Sequence, residues 1–225
     1  MEYRVNRLTQ PPALSADWAD PAWQAAEIIR IEQFRPESSD HRPLTEARLL
    51  YSDAGIHGIF RAHDRYVRCV HTQFQDLVCK DSCVEVYFQP KAGQAENNGY
   101  LNLEMSGNGT LLSYYITDAE RAPGGFKAFV KLTPEQGRQV AIRSTLPAVV
   151  EPELSEPTEW CLQFFLPFTL LEAYVGPLGT LSGQAWRCNL FKCADETSHP
   201  HWASWRPVKE LNFHAPETFG TIRFA

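Results

Sequence analysis

The chain has 225 residues, 44% of them apolar and 21% charged, the proportions of an ordinary globular protein able to bury a large core without staples. A net charge of −6 and the lack of any basic run exclude a nucleic-acid-binding face, since phosphate binding takes clustered Lys and Arg. No stretch approaches the roughly 18 apolar residues of a membrane span, and the first eight residues lack a signal-peptide core. The expectation is a cytoplasmic chain whose six cysteines are reduced thiols rather than a disulfide framework.

In chain order, Asp20 followed by Pro21 predicts a short helical turn, with Asp as the cap and Pro at the first position. Strand signals then recur at residues 46–51, 56–62, 65–71, 81–88, 100–105, 110–117, 126–132, 139–144, 159–166, 185–191 and 219–224. Each is short, rich in β-branched, aromatic or Leu residues, and bounded by Gly, Pro, Asn or Asp. Residues 167–174 predict the only other helix. Residues 90–99 and the Pro- and Glu-rich stretch 145–158 read as surface loops. About ten to eleven strands with little helix predict an all-β domain spanning residues 1–225. Its expected form is a two-layer antiparallel β-sandwich of jelly-roll or immunoglobulin-like type.

The strand at 81–88 has two unlike faces. Side chains alternate along a strand, so Val84, Val86 and Phe88 form an apolar face while Asp81, Cys83, Glu85 and Tyr87 share the other. Carboxylates accept hydrogen bonds from hydroxyls and an aromatic ring covers the C–H face of a sugar, so the second face suits a polyhydroxylated ligand. Tyr100, Asn102 and Glu104 share a face of the 100–105 strand, and Glu104 approaches Glu85 if the two strands are neighbours. Trp160 and Trp186 alternate with apolar residues and belong in the core. Trp18 and Trp23, flanking the Asp-Pro turn, are expected to plug one end. Trp202 and Trp205 stand among polar residues in a C-terminal loop, where they are candidates for ligand contact.

Other chemistries fit less well. Asp81 and Glu85, four residues apart at ~3.3 Å per residue, would be about 13 Å apart, too far for the roughly 5 to 9.5 Å of a glycosidase pair. Cys188 and Cys193, five apart, fall on opposite faces and diverge, so with His199 and His201 they make a poor zinc set, and no metal ligand is assigned. Met105 alternates with Leu101 and Leu103 into the core, which leaves no axial ligand for haem. Asn108-Gly109 marks a hairpin turn.

Three motifs, taken in order and spacing, carry a resemblance. They are Asp-Trp-Ala-Asp-Pro-Ala-Trp at 17–23, Asp-Ser-Cys-Val-Glu-Val-Tyr-Phe at 81–88, and Trp-Arg-Pro at 205–207 followed by Phe-His-Ala-Pro-Glu-Thr-Phe-Gly at 213–220. Over nearly its whole length the chain resembles the family 9 carbohydrate-binding modules and their stand-alone bacterial relatives. The resemblance implies a non-catalytic β-sandwich, in the best-known members attached to xylanases, that grips the reducing end of a sugar between two aromatic rings. It places the strand Glu at Glu85, the first ring position at Cys79, and the second at Phe213 with Asn212 and His214 beside it. It implies a saccharide ligand and a carbohydrate-active enzyme as partner. Family members also hold structural calcium, but Asp53, Asp64, Asp76 and Asp118 form no dense Asp-x-Asp run, and no cofactor is assigned. The expected lining is Glu85, Asp81, Tyr87, Asn102, Glu104, Trp202, Trp205, Asn212, Phe213 and His214.

Overall fold

The computed structural model describes residues 2–92, 94 and 99–225. Of the loop expected at 90–99, residues 93 and 95–98 lie outside the described residues. Two sheets dominate. The first runs, in spatial order, Gly125–Lys131, Tyr114–Ala122, Tyr100–Ser106, Cys83–Gln89, Ala185–Cys193 and Gly220–Phe224. The second runs Leu44–Tyr51, Gly55–Asp64, Thr158–Pro167 and Ala141–Ser144. Strand Glu2–Arg7 joins them: its first residues pair with Gly220–Phe224, and Asn6 and Arg7 pair with Leu50 and Tyr51. Both pairings are parallel, so the sandwich is mixed rather than wholly antiparallel.

The eleven predicted strands all appear, with shifted ends. Residues 110–117 divide into Leu111–Leu112 and Tyr114–Ala122 at Ser113. There the Ser113 hydroxyl donates to the Asn102 carbonyl at 2.6 Å, and its own carbonyl accepts from the Leu132 amide. The predicted strand at 81–88 begins at Cys83, because Val78–Lys80 form a 3-10 turn that closes on Asp81. The N-terminal strand went unpredicted; Glu2, Arg4 and Asn6 alternate with the buried Tyr3 and Val5, and only two apolar residues mark it. The Pro- and Glu-rich stretch is not all loop, since Val150–Leu154 pairs with Val67–Cys69. Helix is confined to short pieces, chiefly Phe168–Val175. Pro21–Ala25 is a 3-10 turn whose cap, Asp20, accepts from the Ala22 amide at 2.9 Å. Among the described residues no helix is long and apolar enough to cross a membrane.

The main core lies between the sheets. Val84, Val86, Phe88, Leu101, Leu103 and Met105 face Leu49, Phe60, Trp160, Leu162 and Phe164 across it. At roughly 25 cal/mol per Å² of apolar surface removed from water, such side chains contribute ~1.5–3 kcal/mol each. Trp23 does not plug an end. It packs with Leu50, Ile59 and Trp18 on the outer face of the second sheet, the opposite side of that sheet from Leu49.

The outer face of the first sheet is also covered. Cys83, Tyr87, Tyr100, Ile116, Phe191 and Cys193 pack there against Phe126, Val208, Phe213 and Phe219, brought in by the 114–131 hairpin and the C-terminal segment. Every residue of Cys83–Gln89 is consequently buried, on both faces. The chemically equipped face of that strand lies under a roof, and the space between them is the candidate site.

Candidate functional site

The space is a cavity of about 580 Å³ open to solvent on one side. Its floor is the outer face of the first sheet, with Glu85 and Tyr87 on one strand and Glu104 on the next, Glu85 and Glu104 being direct cross-strand partners. One wall is the hairpin Tyr114–Ala122 and Gly125–Lys131, which supplies Tyr114, Arg121, Phe126 and Lys131. Two register shifts, between Ile116 and Asp118 and between Asp118 and Arg121, bulge this hairpin, and such bulges bend a strand. The turn takes Gly124 at φ +90 and Gly125 at φ +143, a backbone region costly for any other residue. The remaining wall comes from Leu77 and Cys79, from Asp195 and Trp202 beyond the Ala185–Cys193 strand, and from Leu211 to His214.

The floor is a hydrogen-bonded polar network. Tyr87 Oη lies 2.5 Å from Glu85 Oε2 and 3.2 Å from Glu104 Oε1. The Asn102 amide donates to Glu104 Oε1 at 2.7 Å, and Cys193 Sγ donates to Glu85 Oε1 at 3.1 Å. His214 is held through Nδ1 by the Tyr100 hydroxyl at 2.9 Å, with Nε2 at 3.3 Å from Tyr87 Oη and 3.5 Å from Glu104 Oε1. Burial, reinforced by the charge of Glu104, pushes the Glu85 carboxyl well above the usual carboxylate range. Glu85 is therefore biased toward its neutral form, and the Tyr87 hydroxyl is the donor within reach of both Glu85 Oε2 and Glu104 Oε1. Burial holds His214 below the usual imidazole value, so it too is neutral. The bonds to Glu104 converge on Oε1, and Oε2 takes part in none of them.

Aromatic surface completes the cavity. Phe213 stacks on Phe191, centroids 4.2 Å apart and planes 16° from parallel. Trp202, half-buried, donates from Nε1 to Asp195 Oδ1 at 2.7 Å. Burial raises the Asp195 carboxyl, although much of the side chain remains open to solvent. The two cations of the hairpin wall lie on rings, Arg121 4.5 Å from the Phe126 centroid and Lys131 5.5 Å from that of Tyr114.

Of the residues expected to line a site, Glu85, Tyr87, Glu104, Trp202, Asn212, Phe213 and His214 surround this one cavity, and Cys79 joins them. Three do not. Asp81 is fully buried outside the strand, where Oδ1 accepts from the Val70 amide and His71 Nδ1 and Oδ2 from the His71 amide and Ser106 Oγ. All of its acceptor capacity goes to fastening the turn before the strand. Asn102 lies beneath the floor, donating to Glu104 and accepting from the Tyr114 amide. Trp205 packs on the main core edge-on to Tyr3, with the Arg206 guanidinium 4.2 Å from its ring centroid. Tyr114, Arg121, Phe126, Lys131 and Asp195 were not foreseen. For Asp195 a signal existed: extending the alternation of Phe191 and Cys193 by two residues puts it on their face.

Comparison with known proteins agrees with this architecture. The chain superimposes over its full length on 99% of a protein from Bacteroides uniformis ATCC 8492 described as a candidate carbohydrate-binding protein, with a TM-score of 0.82 at 22% identity. It also covers 93% of a family 9 carbohydrate-binding module from Caldicellulosiruptor kristjanssonii in complex with cellotriose, and 95% of one in complex with glucose. In both cases the TM-score is 0.63, at 10% and 9% identity. No curated protein sequence matches the chain. The model of carbohydrate-binding family 9 matches residues 21–224. The chain belongs to carbohydrate-binding family 9, whose modules bind carbohydrate without transforming it.

Proposed function

We propose that the cavity over the first sheet holds a saccharide, with Glu104 as the principal hydrogen-bond acceptor and Phe213 and Trp202 as apolar surface for the sugar's C–H faces. The observation that carries this reading is the convergence, in one cavity of about 580 Å³, of carboxyl groups, two cations and five aromatic residues. Ligand pockets are of this size and combine apolar walls with a few fixed polar groups. A neutral hexose offers hydroxyls that both donate and accept. Glu104 and Asp195 accept from them, while Arg121, Lys131 and Asn212 donate to them.

Glu85 and Glu104 do not suit hydrolysis despite being neighbours. Glu85 is nearly inaccessible and both of its oxygens are engaged, by Tyr87 and Cys193. A glycan array run alongside a hydrolysis assay tests the reading. Retention of a saccharide class with no cleavage is the expected result, and cleavage or the absence of any bound glycan speaks against it.

A further inference from the structure

Below the saccharide cavity lies a trio of side chains whose donor atoms suit a metal. Cys83 and Cys193 stand directly opposite each other on paired antiparallel strands, and Glu85, two residues from Cys83, points to the same side. Cys83 Sγ, Cys193 Sγ and a Glu85 carboxylate oxygen lie within 4.8 Å of one another, all three residues buried. The Cys193 Sγ to Glu85 Oε1 distance is already 3.1 Å.

We propose that Cys83, Glu85 and Cys193 bind a thiophilic divalent cation, zinc foremost, at the base of the cavity. Zn–S bonds of about 2.3 Å and Zn–O bonds of about 2.0–2.2 Å put tetrahedral ligand atoms roughly 3.2–3.8 Å apart. With all three donor atoms within 4.8 Å of one another, the thiols meet that range by moving inward by at most about 1–1.5 Å. Two thiolates, a carboxylate and Zn²⁺ leave one net negative charge. Lys192, fully buried, donates from Nζ to the Cys193 carbonyl at 3.2 Å, its charge being met by Asp64 at 3.3 Å. Glu85 and Cys193 both line the cavity, so the fourth position opens there, to water or to a ligand hydroxyl. Binding displaces the protons of both thiols and of Glu85 into solvent, and uptake therefore strengthens as pH rises.

The proposal stands independently of the saccharide reading, because its test reads the metal alone. The reduced full chain, stripped with a chelator, is titrated with Zn²⁺ against a chromophoric competitor and, separately, with Co²⁺. The expected result is one metal per chain and a thiolate-to-cobalt charge-transfer band. Cys83→Ser and Cys193→Ser should each weaken uptake by at least about tenfold, while Cys188→Ser, whose thiol lies in the main core, should leave it unchanged. Alkylation of the wild type needs no variant: zinc should slow modification of Cys193, the ligand thiol that lines the cavity. No stoichiometric uptake by the reduced wild type, uptake unaffected by Cys193→Ser, or a Cys83–Cys193 disulfide in place of metal binding would overturn it.

Discussion

Two buried acidic sites in this molecule are equally shut off from water and behave oppositely. Asp64, at the end of strand Gly55–Asp64, has its Oδ2 3.3 Å from the Lys192 ammonium and its Oδ1 2.8 Å from His41 Nε2. Burial pushes its carboxyl up, but Lys192 and then His41 more than reverse this and hold it below the usual range. Glu85 is as deeply buried, but its charged neighbour is Glu104, and both influences push the same way, upward. One site is a buried ion pair that fixes structure. The other sets two carboxyl groups on facing strand positions, and it is the one placed at a cavity. The difference lies in the partner's sign, not in burial.

The largest effect should come from unbalancing the ion pair. Lys192→Met leaves Asp64 buried without its ammonium partner, and breaking such a buried pair costs about 3–5 kcal/mol, read as a lower urea midpoint. Adding Asp64→Leu should recover part of that loss, since replacing both charges by apolar groups is far less costly than stranding one.

At the cavity, Glu104→Gln keeps the shape but removes the charge-assisted bonds to hydroxyls, each worth about 1.5–3 kcal/mol, so affinity for the saccharide found on the array should fall at least about tenfold. Phe213→Ala should lose a comparable or slightly smaller amount through missing stacking and apolar contact. Calorimetric titration measures both.

The smallest effect is a difference in slope. Because the folded-state value of Glu85 is raised, its stabilising contribution is complete at low pH and is lost as pH rises from the ordinary carboxylate range through the raised value. In chelating buffer, Glu85→Gln should therefore flatten the fall of stability on the alkaline side. The sign reverses for His201, held down to about 3 by burial and by Lys192. Its contribution is present at neutral pH and is lost as pH falls from the ordinary imidazole value toward about 3. Thermal unfolding of wild type and Glu85→Gln across pH separates the two slopes.

How much of this was legible in the sequence depended on periodicity. The alternation through residues 83–88 correctly sorted Val84, Val86 and Phe88 to the core and Glu85 and Tyr87 to the opposite side. Extending the same alternation back to Asp81 failed, because a 3-10 turn interrupts it and local amides claim the carboxylate. Composition around Trp202 and Trp205 suggested that both meet a ligand, but they pack against different clusters: one lines the cavity and the other meets Tyr3. The hairpin wall was invisible as a site. Its reach over the sheet comes from bulges and a two-glycine turn, which set direction without a residue pattern that announces it.

The central claim is that Glu104, and not the fully buried Asp81, faces the ligand. Side-by-side calorimetry of wild type, Glu104→Gln and Asp81→Asn with the same saccharide tests it most directly. The account predicts an affinity loss of at least about tenfold for Glu104→Gln and none for folded Asp81→Asn, whose cost falls on stability. Wild-type affinity in Glu104→Gln, or a loss confined to Asp81→Asn, would contradict it.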